Sequence, residues 1–298
     1  MSTAEHGSRD ATDTFVTHRN LLFTVAYEML GSAADAEDVL QETWLRWAEV
    51  DHAAVRDQRA YLVRIVTRLG LNRLRTLQRR REEYVGPWLP EPLLTTPDVA
   101  EDLELADSVS TAMLLVLETL APTERAVFVL REVFALSYDE IAAAVDRSPA
   151  AVRQIARRAR AHVEERRPRA EVPAGLREEV VARFLTATAT GDIQSLLDVL
   201  SPDVVLVSDG GGVKKAALRP ILGREKVLRF LDAVAPKDGT AQAEVVVVNG
   251  APALRIRVGG ELDAIGSLLV EDGLVTAIYY VRNPAKLARL DEVVRLTR

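Results

Sequence analysis

Cysteine is absent from all 298 residues, which excludes a disulfide framework and any thiolate metal site. No apolar run approaches the roughly 20 residues that a membrane-crossing helix needs, so no membrane contact is expected. The first residues are polar and acidic and carry no apolar core of a signal peptide, so a cytoplasmic location is expected. Lysine is missing before residue 214; all five stand at Lys214, Lys215, Lys226, Lys237 and Lys286. Histidine is missing after residue 162; all four stand at His6, His18, His52 and His162. These complementary gaps read as one module joined to another of different make-up. Internal repeats and low-complexity tracts are also lacking.

The 48% hydrophobic and 28% charged content is that of an ordinary soluble globular protein. The length suits two or three compact units. A net charge of -6 runs against the usual basic balance of a nucleic-acid binder, but the charges are not evenly spread. Eight arginines and no acid lie between Gln58 and Arg81, and five more arginines, again with no acid, between Arg147 and Val163. Between the two blocks stand Asp98, Glu101, Asp102, Glu104 and Asp107. Blocks of opposite sign imply separate faces for separate partners.

Residues up to about Tyr84 read as helices. Leu22, Val25, Ala26 and Met29 recur at helical spacing. A turn at Gly31-Ser32 is followed by helices over Asp35 to Glu49 and Arg56 to Arg81. Gly86-Pro87-Trp88-Leu89-Pro90-Glu91-Pro92 cannot be helix interior, because its prolines remove donors and push the preceding residues to extended forms. Helices resume from Asp98 to Glu165, with breaks near Ala121-Pro122 and Asp146. A polar break over Arg166 to Gly175 contains Pro168 and Pro173. Beyond it the pattern changes to helices over Leu176 to Thr188, Ile193 to Leu200 and Arg224 to Ala235. Among them lie β-branched runs at Val204 to Val207, Ala243 to Val248, Leu254 to Val258, Ala264 to Val270 and Leu274 to Val281. Asn249-Gly250, Gly259-Gly260 and Asp272-Gly273 mark turns. The expected architecture is multidomain: two all-α units at 1–85 and 98–168 joined by a proline-rich linker at 86–97, then an α+β unit at 172–298 with helices on a curved antiparallel sheet.

Ser137-Tyr138-Asp139-Glu140 is a capping box, and Ile141, Ala142 and Val145 supply a stripe to bury. Asp146-Arg147 makes a turn in which Asp tolerates left-handed backbone. Ser148 is a good N-cap and Pro149 suits the first helical position. The next helix buries Val152, Ile155 and Ala159 and displays Arg153, Gln154, Arg157 and Arg158. This is the layout of a helix-turn-helix, with long donors placed to read a major groove. A helical hairpin with solvated arginines would show the same pattern.

In the first basic block, Leu62, Ile65, Val66 and Leu69 share one helical side, and Arg64, Arg68, Arg75 and Arg79 share the other, free to meet phosphates. Tyr61 at its start could stack on an unpaired base or sit in the core. On the preceding helix Ala36, Leu40, Thr43 and Trp47 line one side, and Asp35, Asp38 and Glu42 another. That acidic face needs either solvent or a basic protein partner.

Asp35-Ala36-Glu37-Asp38-Val39-Leu40-Gln41-Glu42-Thr43-Trp44 resembles the polymerase-docking helix of extracytoplasmic-function sigma factors. Ala60-Tyr61-Leu62-Val63-Arg64-Ile65-Val66, through Asn72-Arg73-Leu74-Arg75, is similar to their promoter −10 element. Leu120-Ala121-Pro122-Thr123-Glu124-Arg125-Ala126-Val127-Phe128 with the helix-turn-helix resembles their region four. Trp88-Leu89-Pro90-Glu91-Pro92, Asp209-Gly210-Gly211-Gly212 and Asn283-Pro284-Ala285-Lys286-Leu287 resemble the subgroup with a fused SnoaL-like (NTF2-like) C-terminal cone, the sigma factor J type. Here Val213 stands before Lys214, where that subgroup's pattern has Lys directly after the glycines.

The resemblance implies core RNA polymerase and promoter DNA as partners. Asp35, Asp38, Gln41 and Glu42 would face the basic β′ clamp helices, and the second helical unit the β flap. Tyr61, Arg64, Arg68, Asn72, Arg73 and Arg75 would lie at the −10 DNA. Arg153, Gln154, Arg157 and Arg158 would enter the −35 major groove. No cofactor or metal is implied.

SnoaL-like folds include cyclases and isomerases, and Asp203, Asp209, Asp263, Tyr279 and Tyr280 are the acid/base groups available. The C-terminal unit has no histidine, and fold analogy alone does not establish activity, so no enzyme is expected. A small-molecule ligand of this domain stays open. The regulatory reading is that Gly210 to Gly212 admit a close backbone approach by the proline-stiffened Trp88 and Pro90 linker. Asn283, Pro284, Lys286 and Leu287 would close that contact, so that the C-terminal domain sets the spacing of the two DNA-binding units. An ordinary hairpin loop would also explain the glycines. Two other functions remain open: a stand-alone helix-turn-helix regulator with a ligand-sensing domain, and an NTF2-like enzyme tethered to DNA.

Overall fold

Leu22, Val25, Ala26 and Met29 are all buried, and the helix that carries them, α1, runs Ser2–Leu30. The structure is a computed structural model that describes residues 2–96, 98–99, 102–167, 173–234 and 240–298. The expected boundaries at 97, 168 and 172 fall outside the described residues, as do Glu101, Pro168 and Ala235. Helix α2 (Ala33–Ala48) starts at Ser32, whose hydroxyl accepts from the Asp35 N–H. It buries Ala36, Leu40, Thr43 and Trp47, the four that share one helical side. A 3₁₀ turn at His52–Ala54 leads to α3 (Gln58–Glu82).

The second helical unit consists of α4 (Leu103–Val109), α5 (Thr111–Glu118), α6 (Pro122–Phe128), a π turn at Val129–Val133, α7 (Tyr138–Val145) and α8 (Pro149–Glu164). Ser110 separates α4 from α5 as an N-cap that the sequence pattern did not reveal. The apolar residues of both helical units merge into one continuous buried cluster, which also takes in Leu296 from the far end of the chain.

The C-terminal unit comprises α9 (Ala174–Thr190), α10 (Ile193–Val199), β2 (Leu200–Asp209), β3 (Ile221–Leu222), α11 (Arg224–Val234), β4 (Ala241–Val248), β5 (Ala251–Val258), β6 (Glu261–Glu271), β7 (Leu274–Val281), the short α12 (Pro284–Leu287) and β8 (Val293–Val294). Strand β1 (Leu94–Thr95) comes from the linker. The sheet order is β3-β2-β7-β6-β5-β4-β1-β8. This is the expected α+β cone with one correction: the sheet is mixed. β2 pairs β7 in parallel, and β1 pairs β8 in parallel. The three hairpins from β4 to β7 reverse direction at each turn. Which way β7 then runs against β2 depends on the path through α11, and strand patterns do not record that path.

Alternation along the strands gives the sheet two buried faces. On one, Leu206, Leu254, Leu268 and Ile278 pack with Val180, Phe184, Val199 and Val227 from the helices α9, α10 and α11. On the other, Val248, Ala253, Ile265 and Val281 pack with Leu287, Leu290 and the linker residue Leu89. Among the described residues no helix is long and apolar enough to cross a membrane.

Candidate nucleic-acid interface and its interdomain clamp

The helix-turn-helix forms as its local chemistry dictates. The Ser137 hydroxyl accepts from Glu140 N–H at 3.3 Å, and the Glu140 carboxylate accepts from Ser137 N–H at 2.8 Å. Asp146 takes left-handed backbone at φ 55°, and Ser148 caps α8 through Ala151 N–H at 3.2 Å. Val152 and Ala159 are fully buried and Ile155 partly so, while Arg153, Gln154, Arg157 and Arg158 are exposed on α8. Arg158 lies 3.9 Å from Glu124, and Arg153 stands 5.7 Å from the Tyr138 ring centre. The four long donors therefore present an open face.

The basic face of α3 is less open. Arg75 and Asn72 are exposed and bonded to each other at 3.2 Å. Arg64 stands 4.7 Å above the Tyr61 ring, and Tyr61 itself is half-buried near Trp47. Arg68 donates to the carbonyls of Ala143 (2.9 Å) and Ala144 (3.4 Å), the last turn of α7. A cation at a helix C-terminus is well placed electrostatically, so Arg68 ties one helical unit to the other. Arg73 donates to Asp35 at 2.6 Å and to Asp38 at 3.1 Å. Two sets that the sequence assigns to different partners thus neutralise each other. Of the acidic helix's other candidates, Gln41 is exposed and Glu42 pairs with Arg46 at 2.7 Å.

The interdomain residues converge on Asp209, whose side chain has no exposed surface. Its Oδ1 accepts from the Tyr84 hydroxyl at 2.6 Å and from Gly211 N–H at 3.0 Å. Its Oδ2 accepts from Leu89 N–H at 2.9 Å and from Lys286 Nζ at 2.7 Å. Lys286 also donates to the Leu89 carbonyl. Burial pushes the Lys286 ammonium down to about 8, against the opposing pull of Asp209. Burial and the Asp209 carboxylate raise the Tyr84 hydroxyl above its ordinary range. Asn283 donates to Tyr84 at 2.7 Å and caps α12 through Ala285 N–H, with Pro284 at the first helical position.

Of the linker, the fully buried Leu89 joins the core of the C-terminal domain, with Pro90 buried beside it. The Trp88 ring instead packs over Gly31, with the Arg81 guanidinium 3.7 Å and the Lys286 ammonium 4.2 Å from its centre. The glycine loop receives other neighbours. A Cβ on Gly212 would lie 3.3 Å from Val85, one on Gly211 would strike the Asn283 amide, and one on Gly210 would strike the loop's own Lys214 backbone.

Glu91 stands in the Trp88 to Pro92 string, where the sequence pattern assigns it no role of its own. It is 4% exposed. Its carboxylate accepts from Ala33 N–H at 2.8 Å, Ala34 N–H at 3.3 Å and Ser32 Oγ at 3.1 Å. The linker thereby caps the acidic helix α2. Asn249, legible only as a turn residue, donates to Tyr27 Oη at 2.6 Å and to the Val109 carbonyl at 2.8 Å, and accepts from Leu93 N–H at 2.9 Å.

Of the groups available for acid/base chemistry in the C-terminal domain, Asp209 and Asp263 are held by neighbouring donors. Burial would raise the Asp263 carboxyl, but hydrogen bonds from Arg282 and Lys214 outweigh it and hold the group below its ordinary value. Burial pushes the Tyr279 and Tyr280 hydroxyls up to about 12. Asp203 is exposed.

A buried ionic chain joins the two helical units. Ser108 donates to Glu28 at 2.9 Å, Arg125 donates to the Glu28 carbonyl at 2.9 Å, and Glu118 pairs with both Arg125 and Arg81. Burial, only partly offset by Ser108 and Arg125, pushes the Glu28 carboxyl up to about 8. The folded chain therefore holds this proton more tightly than the unfolded one. The resulting stability is complete below about pH 4.5 and is lost as pH rises through about 8. Glu28→Gln keeps the neutral shape and cannot titrate. Its melting temperature relative to the parent should rise steadily from pH 5 to pH 8.5; a constant difference across that range would contradict the assignment.

Two helical units, one presenting a helix-turn-helix, are thus joined by a segment that an α+β domain grips. Residues 14–80 match the Sigma-70 region 2 family and residues 110–163 the Sigma-70 region 4 family. The chain is 37% identical over 293 residues to the ECF RNA polymerase sigma factor SigJ of Mycobacterium tuberculosis, covering 91% of both chains. It is 31% identical over 276 residues to the probable ECF RNA polymerase sigma factor SigI of the same species, covering 91% of this chain and 92% of that one. The crystal structure of M. tuberculosis SigJ superposes with a TM-score of 0.74 at 35% identity, over 93% of this chain and 98% of that one. The chain belongs to the extracytoplasmic-function (ECF) RNA polymerase sigma factors. The alternative of a stand-alone helix-turn-helix regulator is thereby set aside.

Proposed function

We propose that this sigma factor is held closed by its own C-terminal domain, which acts as a regulator and not as an enzyme, in the cytoplasm where the polymerase works. The observation that carries this reading is the Asp209 carboxylate, which gathers donors from Tyr84 and Leu89 of the linker region and from Lys286 behind them. The linker so held cannot lengthen, and Arg68 of α3 stays bonded to the end of α7.

In this reading Asp35, Asp38, Gln41 and Glu42 meet the basic β′ clamp helices of core polymerase, and the second helical unit meets the β flap. Tyr61, Arg64, Arg68, Asn72, Arg73 and Arg75 serve the −10 DNA. Arg68 is released from Ala143 and Ala144 as the units separate, and Arg73, in the same unit as Asp35 and Asp38, is released as those acids turn to the clamp helices. Arg153, Gln154, Arg157 and Arg158 read the −35 groove. The overall negative charge suits a protein whose acids serve one partner and whose arginines serve another.

Run-off transcription with purified core polymerase tests the assignment. Arg157→Ala removes one long donor from the exposed face of α8. Loss of a base contact costs about 1–3 kcal/mol, so promoter-directed transcripts should fall roughly tenfold while binding to core polymerase is unchanged. Full transcription by this variant would remove α8 from the −35 reading.

A further inference from the structure

The acidic block between the two arginine-rich blocks finds its partner inside the chain. Beyond α12 the segment 293–298 leaves the C-terminal domain and crosses to the helical units. Val293 and Val294 lie in parallel register beside Leu94 and Thr95 of the linker strand β1. Leu296 is 2% exposed and belongs to the core of the two helical units, not to that of its own domain. The Thr297 N–H donates to Thr24 Oγ1 on α1 at 3.1 Å. Arg295 pairs with Asp98 at 3.4 Å, and Arg298 pairs with Asp102 at 2.9 Å and with Glu104. A two-residue strand, one apolar anchor and two flanking cations make up a short-peptide recognition mode: main-chain pairing with a side-chain pocket.

We propose that β1, the apolar pocket that holds Leu296 and the acids Asp98, Asp102 and Glu104 form an acceptor site for a short basic-apolar peptide. Its occupant in the closed chain is residues 293–298, a detachable strap. The inference rests on the closed-state reading above and adds a second hold on the linker. Asp209 grips Leu89, and the strap grips Leu94 and Thr95. The ion pairs lie at the surface, where each contributes little, so Leu296 is the anchor and the arginines set register and orientation. Opening must detach both holds. A basic-apolar segment of another protein that competes for the acceptor would release the strap without touching the glycine loop.

The test uses the full chain and its association with core polymerase. Arg298→Glu places like charges against Asp102 and Glu104 and should tighten association about threefold. Glu104→Arg alone should do the same, and the pair Glu104→Arg with Arg298→Glu should return toward the parent. Leu296→Glu should give the largest gain, about tenfold. A synthetic peptide of residues 291–298 added to the Leu296→Glu chain should reverse that gain, and the same peptide carrying Arg298→Glu should not. Unchanged association in both single charge variants, or no restoration in the pair, overturns the strap. Asp209→Asn measured alongside separates the two claims. If it tightens association while the strap variants do not, the strap falls and the clamp stands; if only the strap variants do, the clamp falls.

Discussion

Asp209→Asn should raise promoter-directed transcription by this sigma factor at least about tenfold at equal protein and core polymerase concentration. Asp209 accepts four hydrogen bonds, from Tyr84, Leu89, Gly211 and Lys286, and every partner is a donor. An amide offers one acceptor oxygen, and its NH₂ would face donors. The substitution also removes the counter-charge of Lys286, whose side chain is only 12% exposed. Removing one partner of such a buried pair costs about 3 kcal/mol or more, a hundredfold in the closed-to-open ratio. Lys286 relieves part of this by giving up its proton, since burial already holds it down to about 8, so the transcriptional gain is set at the lower figure. The double variant Asp209→Asn with Lys286→Met buries no charge and should close again relative to the single variant. Run-off transcription with the three proteins checks both effects. Parent-level transcription from Asp209→Asn, or a double variant as open as the single one, would mean that this cluster does not govern opening.

The clamp and the helix-turn-helix differ in how far the sequence alone reveals them, and the difference is one of range. The Ser137–Glu140 capping box and the Ser148 cap on Ala151 each span only three residues, and Asp146 makes its turn locally, so their consequences can be read along the chain. The buried stripe of α2 was legible for the same reason, since a helix brings Ala36, Leu40, Thr43 and Trp47 onto one side by spacing alone. The motif strings around Trp88, Asp209 and Asn283 marked the clamp, but not which atoms it uses. Tyr84 and Asp209 are separated by 125 positions, and Lys286 and Leu89 by 197. The expectation was that the proline-stiffened linker of Trp88 and Pro90 approaches the glycine loop. The carboxylate of Asp209 in fact draws in the backbone N–H of Leu89, and that choice of residue points the leucine at the sheet and turns the indole toward Arg81.

The same limit explains the arginines of α3. A helical wheel separates Arg68 from the core face correctly, yet gives no hint that the last carbonyls of α7 await it. Arg73 and Asp35 carry opposite charges on successive helices. The spacing placed each on a surface, and only packing showed that the surfaces meet. Strands β1 and β8, two residues each, carry no periodicity to detect. They form because the linker and the final segment are brought alongside an existing sheet edge.

Asn249→Ala should be the most destabilising single substitution outside the apolar cores, lowering the first thermal unfolding midpoint by on the order of 10 °C. Asn249 is 2% exposed and adopts left-handed backbone at φ 53°. For alanine that conformation costs about 1–2 kcal/mol. The lost side chain leaves the Leu93 N–H and the Val109 carbonyl buried without these partners, at about 1–3 kcal/mol each. It also strips a donor from Tyr27, whose own hydroxyl holds the Glu91 carbonyl at 2.7 Å. One residue on a C-terminal hairpin thereby touches α1, the end of α4 and the linker together. Asn249→Gly separates the two causes, because glycine restores the backbone preference and not the hydrogen bonds. Its midpoint should lie between those of the parent and the alanine variant, closer to alanine. If Asn249→Ala melts within a degree or two of the parent, the three regions are held together elsewhere. If glycine matches the parent, the asparagine serves the turn alone, as the sequence pattern by itself would have it.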